Sequence, residues 1–341
     1  MRKYLLPETG HFYKANLHAH STLSDGRLTP EELKAAYKAH GYSVLSITDH
    51  DVMVPHHDLT DPDFLMLTGF EMEFNEPRRP GMRDSKTCHL CMVALDGEIE
   101  RQPCWHRTKY VDADRRGLVK FDPDAPDFER AYTPECINEA IRICREKGFF
   151  VTYNHPVWSL ERYPDYSCYE GMHAMEISNY SSIVSGWDEY NGAAYDDFLC
   201  QGKRIFAQGT DDNHNRQQPD HPKWDSFGGF IWLKAPSLTY PDIAAALVGG
   251  DFYASQGPEI HDLYFEDGVL HVECSPAVRV YCITESRDNQ AAYGGNGGLA
   301  THAAFRIRPE YGYVRISVQD EAGLRADSRA FFPDELFGGD V

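Results

Sequence analysis

Nine histidine, aspartate and glutamate residues stand at the ends of separate apolar runs, and together they suit a site for several metal ions: His18, His20, Asp25, His50, Glu71, His89, His155, Asp212 and His214. His18 and His20 lie two apart on a predicted strand, so both imidazoles point to one face while Ala19 points away. Asp25 follows in a Ser-Asp-Gly turn that can bend back toward the same place, and Asp212 and His214 repeat the two-apart spacing. Each residue alone has an ordinary reading, His as a hydrogen-bonded core or surface group, Asp-Gly and Asn-His-Pro as turn chemistry. Their spread over many distant segments points instead to one barrel mouth, which can collect ligands from every strand end. His89 departs from the pattern because it precedes its apolar run, Leu90 to Leu95, instead of following it.

The ordered set His18-Ala19-His20, Ser24-Asp25-Gly26, Thr48-Asp49-His50, Gly69-Phe70-Glu71, His89, Asn154-His155-Pro156 and Asp212-Asn213-His214 resembles the PHP (polymerase and histidinol phosphatase) family over about residues 11 to 257. The resemblance implies a distorted seven-stranded β/α barrel, up to three metals and phosphoesterase activity. It implies one metal on His18, His20, Glu71 and Asp212, and a second on Glu71, His89 and His155. A third would take Asp25, His50 and His214, sharing Asp212. The chain departs from the family in having Asp211 and Asp212 adjacent; spacing from His214 selects Asp212, with Asp211 as the alternative. Glu71 is chosen over Glu73 for the Gly-x-Glu match. The tail beyond residue 258 resembles the small β domain that follows some PHP barrels.

Imidazole and carboxylate ligands without thiolates suit two or three divalent ions of Zn, Mn or Fe. A pair of them would turn a bridging water into hydroxide near neutral pH and clamp the attacking and leaving oxygens. Asp49, Asp212 and His214 are the candidate catalytic residues; Asp49 would orient a ligand or move a proton, or serve only as a turn residue. An Arg fork suits a phosphate, and Arg78, Arg79 and Arg216 are the candidates, each with an alternative role as surface charge. Arg83, Arg101 and Arg107 are further cations near the same segments. Cys88 and Cys91 flank His89 but alternate faces on a strand, so they read as packing residues. Trp105-His106 and His56-His57 are unassigned, and Glu176 closes a strand where it is a candidate to face the site.

The elements that must position these groups alternate in type. Lys14 to His18, Tyr42 to Ile47, Phe64 to Thr68, Phe149 to Tyr153, Met172 to Ile177 and Arg204 to Ala207 read as strands. Thr29-Pro30-Glu31-Glu32 is a capping box opening a helix that ends near His40-Gly41. Further helices run from Thr133 to Lys147, near Asn191 to Gln201, and from Tyr240 to Val248. Repeated strand–helix units favour a parallel sheet, and their number a barrel. After Gly257-Pro258 the pattern becomes short strands with turns, including the hairpin signal Glu266-Asp267-Gly268, so residues 258–341 are expected to form a small β-sandwich. Residues 1–257 form the expected barrel, with a charged, Pro-rich insertion at about 96–132.

A chain of 341 residues can bury one barrel core plus a small domain. The net charge of -20 argues against a nucleic-acid polymer or an anionic membrane as partner, and favours a small phosphorylated substrate held by metal charge. Nine scattered cysteines read as reduced thiols, and the N-terminus has no apolar stretch for a signal peptide, so a cytoplasmic location is expected. No run approaches the length of a membrane span. The leading expectation is hydrolysis of a small phosphate ester of nucleotide or sugar type. The alternatives are an amidohydrolase-like enzyme acting on a non-phosphate bond, and a non-catalytic, metal-stabilised binding protein.

Overall fold

A computed structural model describes residues 2–77 and 85–338. The strands are β1 (Lys3–Tyr4), β2 (His11–Asn16), β3 (Val44–Ile47), β4 (Leu65–Asn75), β5 (Thr87–Ala94), β6 (Phe149–Tyr153), β7 (Ala174–Asn179), β8 (Phe206–Thr210) and β9 (Phe230–Ala235). There follow β10 (Phe252–Ser255), β11 (Ile260–Glu266), β12 (Val269–Ala277), β13 (Arg279–Thr284), β14 (Gln290–Ala292), β15 (Ala300–Arg306), β16 (Val314–Gln319) and β17 (Arg325–Ser328). The helices are α1 (Pro30–Ala39), α2 (Pro134–Glu146), α3 (Tyr163–Tyr166), α4 (Tyr180–Val184), α5 (Gly192–Cys200), α6 (Tyr240–Gly249) and α7 (Pro333–Phe337). The fold is mixed α/β, dominated by a 13-stranded sheet of order β14-β13-β16-β17-β10-β9-β2-β3-β4-β5-β6-β7-β8.

Strands β2, β3 and β4 run parallel, as do β6, β7 and β8, while β5 is antiparallel to both β4 and β6. That reversal explains His89. The start of an antiparallel strand lies level with the ends of its parallel neighbours, so a residue preceding its apolar run reaches the same rim as residues that follow theirs. Beyond β8 the chain meets the chain beyond β2: Asp212 N donates to His18 O (2.9 Å), and His20 N to Asn213 O (3.0 Å). A Cβ on Gly229, just before β9, would lie 2.1 Å from Thr210 O, so the end of β8 and the start of β9 touch backbone to backbone.

Local signals behave as their chemistry dictates. Thr29 and Glu32 form the reciprocal capping box of α1, and Thr133 caps α2. Asp267 and Gly268 both have positive φ (51° and 79°), as a two-residue turn joining β11 to β12 requires. The sequence reading missed β1, β9, β10, β14 and β17. It also stopped β4 short, at Thr68, although the strand runs on to Asn75 and carries Glu71 and Glu73. The tail's strands divide between two sheets. β11, β12 and β15 form a sheet that β1 from the N-terminus joins beside β11, whereas β13, β14, β16 and β17 continue the large sheet through β10. Leu263, Leu270, Val272, Val280, Cys282, Ile316 and Val318 pack together between them.

Residues 96–132 carry one short 3-10 turn, Arg116–Leu118. They are fastened beside the rim: the Gln102 side chain accepts from Met53 N and donates to Asp51 O, and Arg130 forms a buried ion pair with Asp51. Among the described residues no helix is long and apolar enough to cross a membrane.

Candidate metal centre

All nine predicted ligands converge at the rim formed by the ends of the parallel strands and the start of β5. His18 and His20 flank Ala19, whose bridge to Asn213 keeps the backbone extended past β2, and their Nε2 atoms lie 3.2 Å apart. Glu71 is the hub. Its Oε1 lies 3.2 Å from His18 Nε2, 3.1 Å from His89 Nδ1 and 3.4 Å from His155 Nε2. Its Oε2 lies 3.0 Å from His50 Nδ1 and 3.4 Å from His20 Nε2. Asp212 Oδ1 sits 3.1 Å from His18 Nε2 and 3.0 Å from His20 Nε2. Asp25 completes the outer edge, 3.4 Å from His214 Nε2 and 3.8 Å from His50 Nε2.

Donor atoms of His20, Asp25, His50 and His214 all lie within 4.8 Å of one another, as do those of His18, His20 and Asp212, and of His50, Glu71 and His89. Three buried atoms in this volume, Glu71 Oε2, His50 Nδ1 and Asp25 Oδ1, make no well-aligned hydrogen bond, although Glu71 Oε2 and His50 Nδ1 lie 3.0 Å apart. Buried lone pairs of imidazoles and carboxylates crowded together with poorly aligned donors are costly, and a cation resolves that cost. The donor set therefore fits divalent metal binding.

Electrostatics follow from the same crowding. Burial opposes charge on His50, but Glu71 and Asp25 outweigh it and push the imidazole up to about 10. For His155, burial is likewise overcome by Glu71 and Asp212, giving about 9. His20 goes the other way, to about 3, because burial is reinforced by His214 and His50. Glu71 is held well below the carboxylate range: burial raises it, but His18, His89 and His50 lower it further.

Outer contacts fix which ring nitrogen faces inward. His18 Nδ1–H donates to Glu176 Oε1 (2.7 Å), leaving Nε2 for the cluster. Glu176 is fully buried, and also accepts from Thr210 Oγ1 (2.6 Å), His155 N (2.9 Å) and Asn179 Nδ2 (2.9 Å). His155 Nδ1 lies 3.1 Å from Ser159 Oγ, and His214 Nδ1 donates to Asp212 O (3.0 Å). Asp225 accepts from His214 N (2.8 Å) and Asn215 N (2.9 Å), pinning that loop.

The two adjacent acids face opposite ways. Asp212, in a left-handed conformation (φ 52°), turns its carboxylate to the imidazoles. Asp211 points away and accepts from Phe227 N, Gly228 N, Gly229 N and Tyr37 OH. Glu73 lies 3.6 Å from His89 Nε2 at the open edge. Asp49, expected to act on a ligand or a proton, has both oxygens engaged by Ser21 and Ser24; it reaches the cluster only through Ser24 Oγ, 3.5 Å from His20 Nδ1. Its carboxylate shapes the loop that delivers Asp25.

Among the arginines, Arg216 reaches the site and pairs with Asp25. Arg78, Arg79 and Arg83 lie outside the described residues. Arg101 and Arg107 line a separate cavity in the insertion, where Arg107 pairs with Asp127 (2.7 Å). His106 binds Glu129, and His57 contacts Thr68, so neither joins the cluster. Cys91, read from sequence as packing, accepts from Asn154 Nδ2 (3.2 Å), and its sulfur shares a 4.8 Å group with His18 and Glu71. Sequence reasoning also passed over Trp158, Ser181, Ser182, Ser185 and Lys223, which line the cleft above the cluster with its ligands. They carry no spacing signal, because their place depends on how loops fold over the rim.

No protein-family model and no curated protein matches the chain. Among solved structures it is similar to a two-domain protein from Bacteroides vulgatus, described as containing a predicted PHP-like metal-dependent phosphoesterase, at 16% identity over 97% of each chain with a TM-score of 0.45. A proposed metal-dependent phosphoesterase from Bifidobacterium adolescentis aligns at 14% identity over 63% of this chain and 91% of that one, TM-score 0.38. An amidohydrolase from Chromobacterium violaceum, with bound sulfate and no metal, aligns at 15% identity over 59% and 87%, TM-score 0.36.

Proposed function

We propose that this protein is a metal-dependent phosphoesterase that hydrolyses a small phosphate ester. The observation that carries the reading is the meeting of six imidazoles with Glu71, Asp212 and Asp25, their ligand atoms within a few ångströms of one another. His18, His20, Glu71 and Asp212 would hold one ion, Glu71, His89 and His155 a second, and Asp25, His50 and His214 a third, of Zn, Mn or Fe. Bound there, such ions supply hydroxide near neutral pH and positive charge for a phosphate. We read the scaffold as a distorted (β/α)7 barrel over residues 1–257, with a small β-sandwich over 258–341.

The chain's own groups have separable tasks. Glu176 holds His18, and Ser159 holds His155, with Nε2 toward the cluster. Arg216 keeps Asp25 in place and leaves its exposed guanidinium facing the cleft, where it meets the substrate's phosphate. Lys223 lines the same cleft and adds positive charge. With Mn or Zn supplied, the protein should release orthophosphate from a panel of small phosphate monoesters. His50→Ala and Asp212→Ala should each abolish release while remaining folded by circular dichroism. Undiminished phosphatase activity in both variants would refute the assignment.

A further inference from the structure

The cleft above the cluster, about 330 Å³, has one large apolar side chain in its wall. Trp158 is 41% exposed, whereas His155, Pro156, Ser159 and Glu161 around it are buried. Its indole meets the rings of His155 (4.9 Å, 78°) and His89 (5.4 Å, 68°) edge to face, and the partly exposed side chain lines the cleft. Of the exposed large hydrophobics among the described residues, it alone lines this cleft. Small polar groups, Ser181, Ser182 and Ser185, line the same cleft.

The backbone beneath the indole is fastened. Fully buried Glu189 accepts from Val157 N (3.0 Å) and Trp158 N (2.7 Å), and its Oε1 also accepts from Asn191 Nδ2 (2.9 Å). A buried carboxylate accepting from two successive N–H groups of a turn, and itself held by Asn191, keeps that turn in one conformation. A flat ring so held beside metal ligands, half uncovered, is preorganised for stacking.

We propose that Trp158 is a specificity-determining platform that stacks a planar aromatic ring carried by the leaving group of the phosphate ester. The inference rests on the phosphoesterase reading and narrows its substrate class. With the phosphate at the cluster, the leaving group extends along the cleft, and a space of this volume takes a phosphate and one ring system rather than a polymer. An aliphatic chain would contact the same indole without the face-to-face overlap that stacking supplies.

The test compares esters whose leaving groups are all primary alcohols, so that the ring is the variable. Benzyl phosphate and a nucleoside 5′-monophosphate are set against n-butyl phosphate and glycerol phosphate, with metal-loaded wild type, Trp158→Ala and Trp158→Phe. Wild type should favour the aromatic pair in kcat/KM. Trp158→Ala should lower that preference on the order of 10- to 100-fold, mainly through KM, and Trp158→Phe should restore part of it. Metal content, measured alongside, separates stacking from damage to His89 or His155. A preference unchanged in Trp158→Ala, or absent in wild type, overturns the platform. If no ester releases phosphate, the phosphoesterase reading fails, and the platform is judged by binding. Adenosine monophosphate should quench indole fluorescence in wild type and not in Trp158→Phe, and equal quenching or none overturns it.

Discussion

Replacing Glu176 by glutamine keeps size and shape while removing one acceptor, and the surroundings leave the amide no satisfactory orientation. Four donors converge on the carboxylate, His18 Nδ1 and Thr210 Oγ1 at Oε1, His155 N and Asn179 Nδ2 at Oε2. With the amide oxygen toward His18, the new NH2 faces a backbone N–H and a second amide NH2. The backbone donor cannot turn away, and a buried unsatisfied donor costs about 1–3 kcal/mol. With the amide reversed, its NH2 faces His18 Nδ1, which must give up its proton to accept. That proton then sits on Nε2, aimed at Glu71 and Asp212 and in the position a metal needs. Either arrangement weakens ligation. The expected loss is about 10- to 100-fold in metal affinity, the range seen when an outer partner of a ligating histidine is removed, equivalent to about 1.4–2.8 kcal/mol. Equilibration against buffered free Mn or Zn, followed by metal analysis per chain, reads this directly, with circular dichroism as the check on folding. A Glu176→Gln protein that binds metal within two-fold of wild type would refute the claim that this carboxylate sets the tautomer of His18.

Two further perturbations separate structural from functional carboxylates. Asp211→Ala orphans three backbone N–H groups, while the Tyr37 hydroxyl keeps Asn213 Oδ1 as acceptor, so its denaturant midpoint should fall by the equivalent of about 3 kcal/mol or more, whereas Asp212→Ala should lose bound metal and stay folded; the opposite pattern would exchange their roles. Glu161 is buried against Tyr132, Tyr153 and Tyr169, and burial pushes it up to about 7 despite those hydroxyls. The folded state therefore holds a proton that the unfolded state releases near its ordinary value. Stability should fall as pH rises from about 4.5 to 7, by about 3 kcal/mol, and level off above. Denaturation of Glu161→Gln across that interval should lack this component, and profiles parallel to wild type would dismiss it.

Ligand residues were legible because each sits where a strand pattern breaks, and a break that ends in His, Asp or Glu is visible without coordinates. His89 looked misplaced only because strand direction is invisible in a one-dimensional pattern. An antiparallel β5 converts a residue at the wrong end of its run into one at the right end of the sheet. The four longer helices came through well, since capping chemistry such as that at Thr29 and Thr133 is local, whereas the short α3, α4 and α7 were missed. The long reach of β4 and the short strands β1, β9, β10, β14 and β17 did not come through either, because they depend on pairing with distant partners. The same division runs through the site. Spacing from His214 favoured Asp212, but what turns Asp211 away is a nest of N–H groups at residues 227–229, brought there by the close approach of Gly229 to Thr210. Glu176 carried one local clue, a single acid in the otherwise apolar stretch Ala174–Ile177. A charge buried at such a position must find donors, and these come from three other segments: the turns beginning at His18 and His155, and Thr210 on β8. Inner ligands are thus written in sequence as breaks in pattern, whereas the groups that orient them are determined by register and strand direction.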